Sequence, residues 1–135
     1  MPEKETIRRA RQDAAQGKSP STQAGEFVRE EIHHVREGKH GARSPKQAIA
    51  IGLSKARRAG VKLPAPGRGK TSAATRRRAK RDLSRGRSAK AQRPSARRSR
   101  AVKGALRREP RRSVSRRALS RQARSAARRR SRKSR

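Results

Sequence analysis

The chain has 135 residues, 43 of them Lys or Arg and 9 Asp or Glu, for a formal net charge of +34; only 28% are hydrophobic and 1% aromatic. So few apolar side chains cannot offset the entropy of ordering the whole length, which excludes one large globular core. Cysteine is absent, excluding a disulfide framework or a thiolate metal site. The longest apolar run, Ala48 to Leu53, falls far short of the ~20 residues of a membrane-spanning helix. Nothing reads as a signal peptide, and Glu3 and Glu5 argue against a transit peptide, so a soluble intracellular protein without membrane contact is expected. The charge is uneven. Residues 1–63 carry 14 basic and 7 acidic side chains, whereas residues 64–135 carry 29 and 2.

Pro2 to Gln16 reads as a first helix, with Ile7, Ala10 and Ala14 on one face and Gly17 as its stop. A second helix opens at Ser19-Pro20 or at Ser21/Thr22 and runs to about Glu37, its apolar stripe being Ala24, Phe27, Val28, Ile32 and Val35. Gly38 ends it. The third helix, Ser44 to Gly60, has the clearest signals: Ser44 as N-cap, Pro45 at the first helical position, and Gln47 reaching back to the Ser44 N–H. Arg57 and Arg58 suit the negative end of its dipole, and Gly60 suits the left-handed position after it. Ile49, Leu53 and Ala56 form its expected inner face, Ala48, Gly52 and Ala59 a small-residue flank, and Ile51 points elsewhere. Val61 and Leu63 follow as anchors.

These residues make a thin core. Domains of ~60 residues are marginal alone, so the expectation is a hairpin of the second and third helices, a loosely docked first helix, and room for completion as a homodimer. Pro64 to Lys70 reads as a linker. Beyond it Arg, Ser and Ala dominate, and Pro94 and Pro110 divide residues 71–135 into blocks at about 71–92, 95–109 and 111–133. Each block holds helix formers, but dense Arg–Arg repulsion opposes helix formation in water. The fold class is therefore mainly α: a small helical unit over 1–63, a linker over 64–70, and a disordered or conditionally helical polycationic tail over 71–135.

The tail carries the functional signal. Duplex DNA presents about one negative charge per 1.7 Å of axis, and each phosphate neutralised releases a counterion. Arg outnumbers Lys in the tail, and a guanidinium grips phosphate through two parallel hydrogen bonds. The residues expected to meet nucleic acid are Lys55, Arg57, Arg58, Lys62, Arg68, Lys70, Arg76, Arg77, Arg78, Lys80, Arg81, Arg85 and Arg87, then Arg97, Arg98, Arg100, Arg107, Arg108, Arg111, Arg112, Arg116, Arg117, Arg128, Arg129 and Arg130. The one aromatic, Phe27, is needed in the core, so base stacking is not expected, and phosphate contacts position a protein without specifying sequence.

Other motifs reduce to simpler readings. Arg68-Gly69-Lys70 and Arg85-Gly86-Arg87 have the basic–Gly–basic core of a minor-groove hook, but Thr71 and Ser88 replace the proline that follows it, leaving flexible linker as the reading. Gly69-Lys70-Thr71 lacks the first glycine of a phosphate-binding loop, Pro64 standing there. Glu30, His33, His34, Glu37 and His40 hold ligating side chains, but Glu30/His34 and His33/Glu37 are i,i+4 pairs suited to ion pairing on an exposed helix face. No nucleophile–base arrangement is legible, so neither enzyme activity, metal nor cofactor is expected. The connection Gly38 to Arg43 is long for a helix-turn-helix, and the start of the third helix is apolar where a reader would carry its base contacts.

Gly25-Glu26-Phe27, Gly38-Lys39-His40 and above all Lys46-Gln47-Ala48-Ile49-Ala50-Ile51-Gly52-Leu53-Ser54-Lys55-Ala56-Arg57 resemble a group of small bacterial proteins of unknown function, often labelled DNA-binding. The resemblance covers about residues 20–63; it implies a bacterial source and supplies no activity and no functional residues. The tail is similar in composition to those of bacterial histone-H1-like proteins, though richer in Arg and Ser than their Lys-Pro-Ala repeats. The expectation is a nucleoid-associated protein that coats or bridges duplex DNA without reading its sequence. RNA or ribosome association, or an adaptor localised by its tail, are the alternatives.

Overall fold

The structure is a computed structural model and describes residues 2–87 and 96–133. Among the described residues it is mainly helical: α1 (Lys4–Ala15), α2 (Pro20–Arg36), α3 (Pro45–Arg58), α4 (Ala73–Arg87), α5 (Ala96–Arg107) and α6 (Arg116–Lys133), with a 3-10 turn at Arg112–Val114. Pro94, read as a block boundary, and Ser88, which follows the second basic–Gly–basic triplet, lie outside the described residues. The tail is thus helical in three places.

Helix ends follow the local chemistry. The Ser19 and Ser44 hydroxyls accept the N–H groups of Thr22 and Gln47 at 3.3 and 3.2 Å, placing Pro20 and Pro45 at first helical positions. Gln47 closes the box one residue further out than its spacing predicts, on the Arg43 N–H rather than that of Ser44. Gly17, Gly38 and Gly60 all have positive φ after a helix, and the next N–H bonds back to Asp13, His34 and Ala56 respectively, at 2.9–3.0 Å. These are three Schellman closures at the three predicted stops.

The chain forms two compact units, Met1–Glu31 with Ala50–Pro94, and Ile32–Ile49 with Ser95–Arg135. The division at 63 and 70 is one of composition. The units are divisions of packing, and each joins part of the N-terminal stretch to part of the tail.

In the first unit Ala10, Ala24, Phe27, Ala56 and Val61 are buried together, with Ile7, Leu53 and Leu63 against them. Helix α1 is fixed by more than its apolar face. The Glu30 carboxylate of α2 accepts the Glu3 N–H at 2.6 Å, placing a negative charge on an open end of the α1 dipole. Glu30 is buried, so the exposed location expected for it is corrected. The inner face of α1 is Thr6, Ile7, Ala10 and Asp13; Ala14 faces solvent. On α3 Ala56 is buried as expected, but Ala48 and Gly52 join it in the buried line, while Ile49 and Leu53 are half-buried at its edges and Ala59 is exposed. The reason is backbone approach. A Cβ on Gly52 would lie 2.6 Å from Val28 Cα and 2.9 Å from Val28 Cγ2, so α2 and α3 meet where α3 has no side chain.

In the second unit Val35, Ala42, Ala48 and Val114 are buried, with Ile32 beside them. The loop after α2 is bonded to the tail along its length. The Gly41 and Ala42 N–H groups donate to the Leu106 and Pro110 carbonyls at 2.7 and 3.0 Å. Ser113 Oγ donates to the Ala42 carbonyl at 2.6 Å, and the Arg36 and Arg111 guanidiniums donate to the Val114 and Arg36 carbonyls. A Cβ on Gly41 would overlap the Glu109 carbonyl.

Gly25 and Gly52 separate intrinsic propensity from packing. Gly25 lies inside α2 with nothing within 4 Å of its notional Cβ, so Gly25→Ala should raise stability by up to ~1 kcal/mol. Gly52→Ala gains the same propensity but overpacks against Val28 backbone, and should lose about 1–2 kcal/mol net. Thermal unfolding followed by circular dichroism reads both; equal shifts for the two would contradict the close approach.

Candidate nucleic-acid interface

The inner and outer faces of α4 differ in composition. Arg76, Ala79, Asp82, Leu83 and Gly86, spaced i, i+3, i+6, i+7 and i+10, are buried or half-buried. Asp82, 6% exposed, accepts a hydrogen bond from Ser54 Oγ of α3 at 2.7 Å. Gly86 approaches the end of α3 so closely that a Cβ there would overlap the Arg57 carbonyl. The opposite face carries Arg77, Arg78, Arg81 and Arg85, all exposed, with Lys80 and Arg87 beside them. Arg85-Gly86-Arg87 is therefore part of a packed helix, and the flexible-linker reading gives way there. At Arg68-Gly69-Lys70 the chain does turn, with Gly69 at φ +80°, a Lys70 N–H to Gly67 carbonyl bond of 3.3 Å, and open space around Gly69.

Helix α6 repeats the pattern. Ala118 is buried, and Leu119, Gln122, Ser125 and Ala126 are half-buried along one side. Arg117, Arg121, Arg124 and Arg128 are exposed at i, i+4, i+7 and i+11, a line of four guanidinium stems about 16 Å long. Arg121 and Arg124 were not among the residues singled out from sequence. The helical spacing that unites them with Arg117 and Arg128 is visible in the sequence once the helix register is fixed.

The other nominated residues sort by what they touch. Arg57 is 8% exposed; its guanidinium donates to the Leu63 and Pro64 carbonyls at 3.2 and 3.0 Å and is spent on holding the chain after α3. Burial pushes its pKa down, partly offset by the Asp82 charge, and it remains a cation at any physiological pH. Lys55 pairs with the buried Glu31 carboxylate, whose position within the apolar stripe of α2 was not anticipated. Arg111 is engaged with the Arg36 carbonyl, and Arg58 leans on the Ser54 carbonyl at 3.4 Å. Arg76 is half-buried. Lys62, Arg68, Lys70, Arg97, Arg98, Arg100, Arg107, Arg108, Arg112, Arg116, Arg129 and Arg130 are exposed. The side chains thus divide into cations that hold the fold and a larger set that faces solvent.

Of the histidines, His33 makes the predicted pair with Glu37 at 2.7 Å. The His34 and His40 rings meet edge to face at 6.3 Å, and His40 Nδ1 lies 2.9 Å from the Gly41 carbonyl. No helix among the described residues is long and apolar enough to cross a membrane.

Residues 17–66 match the model of a family described as a family of unknown function (DUF6496). The match spans α2, α3 and the approach to α4 but less than half of the chain. No curated protein and no solved structure matches. The likeness is thus to a small family without an assigned activity, and it ends before the arginine faces begin.

Arg57 and Arg81 test the division between the two sets. Arg57→Met leaves two carbonyls without their donor and should cost about 1–3 kcal/mol of stability. Arg81→Gln, on the exposed face, should stay within ~0.5 kcal/mol. Denaturant unfolding of the full chain distinguishes them.

Proposed function

We propose that the protein binds the phosphate backbone of duplex DNA without reading its sequence, through the arginine faces of its tail helices, as a nucleoid-associated protein. The observation that carries this reading is the segregation on α4 and α6. On α4 Ala79, Asp82 and Gly86 turn inward and Arg77, Arg78, Arg81 and Arg85 outward; on α6 Ala118 is buried, and Arg117, Arg121, Arg124 and Arg128 form an exposed row beside the exposed Ser120 and Ala127. Faces of one sign favour a partner of the opposite sign, and the planar guanidinium matches two phosphate oxygens at once.

Two further features support a duplex over single strands. Phe27, the one aromatic side chain, is completely buried, so no ring is available for stacking unpaired bases. The outer faces also lack the Asn and Gln side chains that pair with adenine in the major groove, and a row of arginines alone fixes position on a backbone more than it selects bases.

The test uses the full chain, because residues from both sides of position 63 pack together in each unit. Binding to unrelated duplexes of equal length should be alike, with log affinity falling linearly in log salt at a slope of roughly −5 to −9 for six to ten phosphate contacts. Replacing Arg117, Arg121, Arg124 and Arg128 together by Gln, a good helix former, should keep helicity and flatten that slope by about 3–4. A salt-independent affinity, a strong preference for one sequence, or tighter binding to structured RNA than to duplex would each refute the proposal.

A further inference from the structure

Resting on that reading, we infer that the face of α4 formed by Arg77, Arg78, Arg81 and Arg85 is a preorganised duplex-docking surface, held in place by an acid, Asp82, and by a missing side chain, Gly86.

Asp82 and Glu109 are the two acidic residues in residues 64–135, and Asp82 alone lies in α4. In a helix with seven Arg or Lys, an exposed carboxylate would form local ion pairs at i±3 and i±4. Asp82 does otherwise. It is buried against α3, accepts the Ser54 hydroxyl, and places its charge near the Arg57 guanidinium. One turn further on, Gly86 brings the α4 backbone against the Arg57 carbonyl and within 3.1 Å, from its notional Cβ, of the Gly60 N. One turn before Asp82, Ala79 is 4% exposed, so the inner side of α4 has no bulky residue except the half-buried Leu83 and Arg76. These contacts fix which way the helix faces. With Asp82 and Gly86 turned inward, the arginines at 77, 78, 81 and 85 are turned outward as a group.

The occupant is identified by charge complementarity. Four guanidiniums within three helical turns carry a density of positive charge that only a polyanion matches, and a duplex supplies phosphates in a continuous row. A docked helix presents them without the entropic cost of ordering a flexible segment at the moment of binding. Binding therefore depends on Asp82 in the sense opposite to charge counting. Removing its negative charge makes the protein more cationic and yet should weaken its hold on DNA.

Four full-length proteins test this on a short duplex at fixed salt: wild type, Asp82→Asn, Gly86→Ala and Gly104→Ala. Asp82→Asn raises the net charge by one, and Gly86→Ala leaves it unchanged while raising intrinsic helix propensity. Both should bind about 3- to 10-fold more weakly than wild type, and both should expose α4 amides to hydrogen exchange. Gly104→Ala in α5, where the nearest atom to the new Cβ is a flexible Arg108 nitrogen at 3.9 Å, should bind as wild type. Binding of Asp82→Asn equal to or tighter than wild type overturns the inference while leaving the preceding reading intact. If Asp82→Asn does not fold, Gly86→Ala decides alone, and its equality with wild type overturns the inference. Wild type that binds no duplex, or that prefers structured RNA, overturns both.

Discussion

Mutual repulsion among the cations is the constraint that organises this protein. With a net charge of +34, cationic segments that pack through small apolar clusters also place carboxylates and carbonyls at their contacts, which offset the repulsion. The chain has nine carboxylates, and Asp13, Glu30, Glu31 and Asp82 are buried at places where elements meet. Glu30 closes the start of α1, Glu31 receives Lys55 between α2 and α3, and Asp82 receives Ser54 between α3 and α4. Burying a charge is expensive unless it is paired and hydrogen-bonded, so each such contact is a weak source of stability. What these contacts add is orientation. Each one fails unless a particular face of a helix is turned inward.

Carbonyls serve beside the carboxylates. In the second unit the Arg36 and Arg111 guanidiniums end on main-chain oxygens, and Ser113 does the same with its hydroxyl. In the first unit Arg57 holds two carbonyls beyond the end of α3. A guanidinium satisfied by a carbonyl keeps its charge while losing the freedom to reach a phosphate. These side chains are therefore part of the fold even though composition cannot tell them from their neighbours.

That difference marks how far the sequence could be read. Helix ends were legible because Ser44, Pro45, Gly17, Gly38 and Gly60 act through local backbone geometry, which needs no knowledge of the partner helix. The buried line of α3 was legible only at Ala56, because hydrophobicity favours Ile49 and Leu53, whereas close helix packing favours Ala48 and Gly52. Gly52 has a function only in the presence of Val28. The same holds for Arg57 and Lys55: next to a basic tail they read as phosphate ligands, and only the positions of Pro64 and Glu31 assign them to the interior. On α6 the helix register matters in the same way. Arg121 and Arg124 belong to the outer line, but a count of clustered arginines passes over residues separated by Gln122 and Ala123.

The segment matched by the family model bears on what the tail is. Residues 17–66 contain the positions against which the tail packs: Ser54, Arg57 and Gly60 in one unit, Arg36, Gly41 and Ala42 in the other. The residues that fit them, Asp82 and Gly86, Glu109 and Ser113, lie beyond the match. A tail acting only through its net charge would need none of these four. Two are the only acids of the tail, which a polycation would do better without. The third is a glycine inside a helix, where any residue but proline would serve the helix better. Docking accounts for Asp82, Gly86 and Ser113, whereas Glu109 meets Gly41 through its main-chain carbonyl, which any residue would supply. The matched segment is a scaffold with receiving positions in both units, and the arginine face of α4 is directed by two tail residues that are not arginine, Asp82 and Gly86.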